Sequence, residues 1–366
     1  MEQIRIAIVG SGDMGGVYAE ATARHVTGAR LTAIHGGRRA AGLAAEYGAD
    51  HVGAFEDLLA RRDVDALVIA TPHVQHRAQV VAAARAGKHV LIEKPMALDT
   101  AECDAMIAAA TAAGVDLSVI LTMRFDTNFR AAKARLDSGD IGRPLMLRIS
   151  GLTAGYDMGH KTWIGERENG GALLDWGSHG FDILRFVAGA DPIRLSAELA
   201  DFGAAPVGEP SAMVQLAYAN GVMAQLWMSY ELPPPGLDSP FRLWIVGERG
   251  MLQVNRFGQA LLGHDESWDV ISDDALPDWS LERRHDPVRV VAPARQIQDW
   301  VDALREGRPS AAPADAGRWA VMQVEAAYRS WRTGETVPLP LAPRETPAPS
   351  AAHAPSAAPG TSAGVA

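Results

Sequence analysis

The chain carries an imidazole, carboxylates and an ammonium group at positions that suit proton transfer beside a carbon losing hydride. In Gly170-Gly171-Ala172-Leu173-Leu174-Asp175-Trp176-Gly177-Ser178-His179, Asp175 and His179 stand four apart, and Asp182 lies one turn further on. On a helix these three share a face. When a carbinol carbon gives up hydride, its oxygen must shed a proton, which needs a base with a pKa near working pH; histidine meets that need. A carboxylate beside the imidazole can orient the ring and stabilise its protonated form. Lys94, in Glu93-Lys94-Pro95 after an apolar run, can set positive charge where alkoxide character develops. Taken singly, Lys94 also fits a surface lysine at a strand end, and Asp175 with His179 a pair capping a helix start.

Hydride needs an acceptor. Gly10-Ser11-Gly12-Asp13-Met14-Gly15 follows an apolar run directly and opens a helical pattern. In such a fingerprint the first glycine permits a tight turn, the second lets backbone approach a pyrophosphate, and the third allows close contact between helix and strand. The helix N-terminus then offers amides and a positive dipole to phosphate, which makes Gly10, Gly12, Asp13, Met14 and Gly15 candidate cofactor-binding residues. NAD-binding folds normally place an acidic residue about 20 residues beyond the glycines, where it holds the ribose hydroxyls. Here that place reads His35-Gly36-Gly37-Arg38-Arg39, so Arg38 and Arg39 favour NADP over NAD, unless they simply open a solvated helix face. Thr71, Pro72 and His76 sit at the carboxyl end of another apolar run, where open α/β sheets bind ligands; His76 suits a capped core histidine equally.

Short apolar runs at 4–9, 31–34, 66–70, 89–92 and 117–121 alternate with helical patterns at 14–25, 40–47, 76–86 and 100–113. That alternation predicts a doubly wound parallel sheet with right-handed crossovers, an α/β N-terminal Rossmann domain over residues 1–123. Asp99 and Glu102 predict a reciprocal cap for the last of these helices, and Gly114 its stop. Beyond residue 124 the pattern changes to an amphipathic helix at 129–138 and hairpin-ordered strands at 212–218 and 222–229 about Asn220-Gly221. A second hairpin pairs 242–246 with 251–254 across Gly247-Glu248-Arg249-Gly250, and helices at 295–305 and 315–333 follow. Residues 124–342 thus read as an α+β C-terminal domain with a mainly antiparallel sheet, its last helices free to lie on the first domain. Pro, Ala and Ser dominate 343–366, which reads as a disordered tail.

Together the glycine fingerprint, Ala70-Thr71-Pro72 with His76, Glu93-Lys94-Pro95, and the glycine-rich run ending at His179 with Asp182 resemble the Gfo/Idh/MocA oxidoreductases, the glucose-fructose oxidoreductase and inositol dehydrogenase type. The resemblance runs from about residue 4 to 339 and includes Gly247 to Gly250 and Ser330-Trp331-Arg332-Thr333-Gly334-Glu335. It implies a Rossmann domain, a C-terminal α/β domain with an open, mostly antiparallel sheet, and a substrate held between them above a nicotinamide. It also implies that Lys94 lies near the nicotinamide and the reacting oxygen, with Glu93 beside the cofactor. Asp175 and His179 then take the places of the family's catalytic Asp and His, and Thr71, Pro72 and His76 line the cofactor.

A segment with Tyr156, Asp157, His160, Lys161 and Trp163 is rich in aromatic and hydrogen-bonding side chains for a connecting region. With Arg124, Asp175, Trp176 and His179 it makes a candidate polyol pocket, since aromatic faces cover sugar C–H faces while cations donate to hydroxyls. Trp163 and Trp176 suit an interdomain core equally. The expected reaction is hydride transfer between nicotinamide and a CH–OH carbon of a sugar, cyclitol or glycoside. The resemblance leaves open a dihydrodiol dehydrogenase, a non-catalytic cofactor-binding regulator and a redox-assisted glycoside hydrolase, though a pure sensor needs no base.

Length and charge narrow the field further. The 366 residues, 48% hydrophobic, allow two domains, and a net charge of −10 without a basic stripe argues against a nucleic-acid partner. No leader pattern opens the chain, and no stretch approaches the ~20 apolar residues that span a bilayer. The single cysteine, Cys103, precludes an internal disulfide and fits a small core filler in a cytoplasmic protein. His73, His76 and His89 lack ligand spacing, so no metal is expected. The apolar strand at 222–227 would otherwise face water, which together with the family resemblance predicts a homodimer or homotetramer.

Overall fold

Branched apolar runs buried on both sides make the first sheet. In a computed structural model that describes residues 3–153, 171–203, 209–233 and 241–342, β1 (Ile4–Val9), β2 (Ala29–His35), β3 (Asp50–Val52), β4 (Ala66–Ile69), β5 (His89–Ile92) and β6 (Leu117–Val119) pair in the order β3-β2-β1-β4-β5-β6. Every pair is parallel. The crossovers are α1 (Asp13–Arg24), α2 (Ala40–Tyr47), α3 (Phe55–Ala60), α4 (His76–Arg85) and α5 (Thr100–Ala113). Ile6, Ala7, Ile8 and Val9 are wholly buried because helices cover both faces of the sheet. Strand order reverses between β1 and β4, and their carboxyl ends open the crevice where such sheets bind ligands. At the head of α5, Asp99 accepts from Glu102 N at 2.8 Å while Glu102 reaches back to Leu98 N, and Gly114 ends the helix with φ +66°.

The second sheet has nine strands. In chain order they are β7 (Pro144–Leu152), β8 (Pro192–Ala200), β9 (Ser211–Tyr218), β10 (Met223–Ser229), β11 (Phe241–Gly247), β12 (Met251–Asn255), β13 (Gly258–His264), β14 (Ser267–Asp274) and β15 (Val337–Pro338). They pair as β14-β13-β12-β11-β7-β10-β9-β8-β15, antiparallel except for the central β7 and β10, which run parallel. Of the remaining helices, α6 (Thr127–Asp137), α7 (Ser178–Ala188) and α9 (Ala314–Thr333) cover one face. Phe181, Leu184 and Val324 join Ile149, Leu226 and Ile245 there in a single core. The other face carries Met146, Met213 and Met223, about half exposed, beside Trp227 and Trp244 under the Arg148 guanidinium.

One long helix ties the halves together. α8 (Pro287–Glu306) lays Ile297, Trp300 and Val301 into the core formed by Ile6, Ile8 and Val17, and Trp300 donates Nε1 to Asp116 at 2.7 Å. Its start at Pro287 rather than 295 follows from the Asp286 cap on Val288 N; Pro293 within the helix masks the first turns in the sequence. Among the described residues no helix is long and apolar enough to cross a membrane. Tyr156, Lys161, Trp163 and the 343–366 tail lie outside the described residues.

Candidate active site

The glycine fingerprint builds the first wall. Gly10 ends β1 with φ +103°, and a Cβ there would stand 2.4 Å from the Ala70 carbonyl oxygen; one on Gly15 would stand 1.9 Å from that of Gly10. Both glycines are needed by the chain itself. Gly12, by contrast, would bring its Cβ within 4 Å of no atom outside its own stretch of chain, and it borders open space. That space is a crevice of about 370 Å³ lined by Gly10, Gly12, Asp13, Met14, Thr71, Pro72, Glu93, Lys94 and Asp175, with His35, Gly36 and Gly37 from the end of β2. A dinucleotide fits these residues: bare backbone at the head of α1 for the phosphates and clearance beside them.

Lys94 closes the inner end of the crevice. Its Nζ donates to Asp175 Oδ1 at 2.6 Å and to the Asp175 carbonyl at 3.0 Å, across 81 residues of sequence. Both side chains are nearly buried, at 14% and 9% exposure, so each charge depends on the other. Asp175 Oδ2 also accepts from the Tyr230 hydroxyl at 3.3 Å. On the other side, Glu93 Oε2 accepts from Lys94 N at 2.8 Å, and Glu93 Oε1 takes the hydroxyl of Tyr18, whose pKa burial and the adjacent carboxylate push up. Asp175 belongs to a π-helical turn, Leu173–Gly177, that runs into α7, where His179 sits in the first turn. A π turn re-aims the side chains around it, and such turns recur at functional sites.

A second cavity, of about 330 Å³, adjoins the first and shares Met14, Glu93, Lys94 and Asp175 with it. His179, Tyr230 and Thr122 line it, and Asp126, Arg256, Phe257 and Trp279 also form its walls. Arg283 borders it too, paired with Asp13 at 3.3 Å and donating to the Met14 sulfur at 3.1 Å. A crevice suited to a dinucleotide thus opens into a separate chamber through a wall made by Lys94 and Asp175. The profile of the oxidoreductase family with an NAD-binding Rossmann fold, Gfo/Idh/MocA, matches residues 4–121, and the Gfo/Idh/MocA C-terminal domain matches residues 129–253. The chain belongs to the Gfo/Idh/MocA family.

It is therefore an oxidoreductase on a Rossmann dinucleotide scaffold. Inositol 2-dehydrogenase 2 of Saccharopolyspora erythraea is 29% identical over 93% of this chain and 97% of its own. 1,5-Anhydro-D-fructose reductase of Ensifer adhaerens is 38% identical, over 51% of this chain and 57% of its own. Among solved structures, an Agrobacterium radiobacter oxidoreductase in complex with NAD+, L-tartaric acid and magnesium superposes with a TM-score of 0.81 at 26% identity, covering 92% of this chain and 98% of its own.

Not every residue singled out in the sequence reaches the cavities of this Gfo/Idh/MocA protein. Arg124 lies outside both: its guanidinium makes a two-pronged pair with Asp182 at 2.5 and 2.9 Å and donates to the Ala311 carbonyl at 2.6 Å. A charge buried on Asp182, 2% exposed, demands that partner, so the pair is structural and Asp182 does not extend the Asp175–His179 face into the site. His76 is also set behind the wall, wholly buried, with Nε2 2.9 Å from the Thr71 carbonyl and Nδ1 3.0 Å from that of Pro95. Burial holds its pKa below the usual value, and the ring staples the β4 loop to the Lys94-Pro95 loop instead of lining the cofactor crevice. Arg39 donates Nε to the Ser11 carbonyl at 2.9 Å and so braces the glycine loop, while Arg38 is exposed; neither borders the crevice. Trp176 is wall and core at once: its ring presses on Gly151, stacks 6.0 Å from Phe241, and is only 5% exposed. The sequence missed Tyr230, Asp126, Arg256, Trp279 and Arg283, which stand at strand ends, at the head of α6, in a loop and in a short 3-10 turn without a recognisable spacing. Among the described residues, no cluster of three or more His, Cys, Asp and Glu could hold a metal.

Proposed function

We propose that the protein oxidises a CH–OH carbon of a cyclitol or related sugar, and reduces the carbonyl in the reverse direction, with Lys94, Asp175 and His179 as catalytic residues. The observation that carries this reading is the shared wall: Lys94 and Asp175 face both cavities, and His179 faces the second. A bound nicotinamide supplies hydride acceptance and donation. Gly10, Gly12, Asp13 and Met14 would hold its phosphates, and Thr71, Pro72 and Glu93 its inner end. The Lys94 ammonium, held by Asp175, lowers the cost of negative charge on the substrate oxygen. His179 takes the hydroxyl proton during oxidation and returns it during reduction. Exclusion of water from the nearly buried Lys94–Asp175 pair strengthens both effects.

Relatives named inositol 2-dehydrogenase across nearly their full length support a cyclitol as substrate. The test is a panel of cyclitols, sugars, glycosides and dihydrodiols with NADP+ and NAD+, following formation of reduced nicotinamide. Turnover is expected with at least one cyclitol or sugar, and its absence across the panel overturns the reading.

NADP is the favoured form in this reading, because the end of β2 carries no carboxylate and Arg38, though not in the crevice wall, is exposed next to the wall residue Gly37. The expected KM for NADPH is lower than for NADH, and Arg38→Ala removes the difference; a clear NADH preference overturns it. The Met- and Trp-bearing face of the second sheet is read as a homodimer or homotetramer surface, and a buried lone cysteine fits residence in the cytoplasm.

A further inference from the structure

Three aspartates stand at helix N-caps among the described residues, and one of them does not cap. Asp99 accepts from Glu102 N and Asp286 from Val288 N, whereas the Asp126 side chain at the head of the 11-residue α6 caps no amide. Its carboxylate turns to Arg256, whose Nε donates to Oδ2 at 2.9 Å. Both residues line the chamber that also holds Lys94, Asp175 and His179.

The pair is fixed from two sides. Asn128, in the first turn of α6, donates to the carbonyls of Asn255 and Gly258 at 3.0 and 2.8 Å, pinning the turn that carries Arg256. The Arg256 guanidinium lies over Phe241 and Phe257, 5.8 and 5.3 Å from the ring centroids. The carboxylate is 92% buried; Oδ1 of Asp126 and both Nη groups of Arg256 have no partner among the described residues. An acceptor and a donor thus stand side by side, bordered by aromatic rings.

We propose that Asp126 and Arg256 form a two-point recognition site for neighbouring hydroxyls of the substrate, away from the reacting carbon; this rests on the polyol reading above. One hydroxyl donates to Oδ1 while its neighbour accepts from Nη, and the rings cover the C–H face between them. A substrate carboxylate at this end would meet Asp126 and be disfavoured, so the site selects neutral polyols over uronates. Burial pushes the Asp126 carboxyl up to about 6, with Asp274 adding to the rise while Arg256 and Arg295 oppose it. Recognition therefore weakens as pH falls through that value, because a protonated carboxyl loses acceptor strength.

The experiment compares the best polyol substrate with its monodeoxy analogues, in wild type, Asp126→Asn and Arg256→Lys, with saturating cofactor. In wild type at neutral pH, removing one of the contacted hydroxyls should lower kcat/KM about 10- to 100-fold, the range for hydrogen bonds to charged groups. In Asp126→Asn the same removal should cost less than about threefold, with the loss in KM rather than kcat, as expected for contacts made equally in ground and transition states. Arg256→Lys, which keeps the charge and folds around it, should lose the second hydroxyl's contribution. The wild-type KM for the full polyol should rise below pH 6 relative to its deoxy analogue, a ratio in which ionisations common to both substrates cancel. Unchanged discrimination in both variants, with turnover retained, overturns the subsite alone, as does a preference for uronates. Absence of polyol turnover in wild type overturns the polyol reading and the subsite with it.

Discussion

At the scale of single residues, chemistry depends on charges that would be unstable alone. Lys94 and Asp175 are nearly buried and answer each other at 2.6 Å, so each offsets the cost of burying the other's charge. Lys94→Ala and His179→Ala should each lower kcat by about a hundredfold or more, typical of lost acid-base groups, while cofactor affinity by fluorescence titration changes little. Arg124 makes the opposite case. Arg124→Met leaves Asp182 buried without a counter-charge and should destabilise the fold by about 3 kcal/mol, read by denaturant titration, with substrate KM unchanged. A raised KM at full stability would instead put Arg124 in substrate binding. The sequence named both Lys94 and Arg124 for function, and only their carboxylate partners, Asp175 at the cavities and Asp182 behind them, separate the two, which spacing along the chain does not encode.

At the scale of elements, legibility followed periodicity. Parallel strands buried on both faces leave continuous apolar runs, and five of the six first-sheet strands could be read directly from them; Asp50–Val52, short and polar, could not. Hairpins with Asn220-Gly221 or Gly247 to Gly250 declared themselves, whereas β7 is closed by β10 and β11, far along the chain, and the β13–β14 hairpin turns between His264 and Ser267 without a glycine. The Lys94–Asp175 pair was hidden for the same reason: its members are 81 residues apart and meet only when a π turn faces the first sheet. Gly15 shows how tightly one element constrains another. Gly15→Ala drives a methyl onto the Gly10 carbonyl, an overpacking that should cost about 1–3 kcal/mol and abolish dinucleotide binding in calorimetry. Binding of normal strength in that variant would contradict the role given to the β1–α1 turn. The α8 helix matters in another way, because Trp300→Ala empties the core it shares with β1 and α1, with an expected cost of about 3–5 kcal/mol.

At the scale of the whole molecule, two sheets divide the labour. The first presents its carboxyl ends to the cofactor crevice, and the second supplies a chamber on its helix side and an apolar face on the other. That face joins Met146, Met213, Met223 and Trp227, and water contact there is unfavourable unless a second copy covers it. Light scattering should report a dimer or tetramer for the wild type and smaller particles for Met223→Glu; a wild-type monomer would contradict that use of the face.

In the proposed reaction a carbon-bound hydrogen passes directly between chamber and crevice across their shared wall. The sharpest measurement uses the active polyol deuterated at its carbinol carbon, followed by mass spectrometry of the reduced nicotinamide after turnover. Deuterium recovered in the nicotinamide, and lost together with turnover in Lys94→Ala, is the predicted result. Deuterium washed into solvent, or turnover undiminished without the Lys94 ammonium, would contradict it.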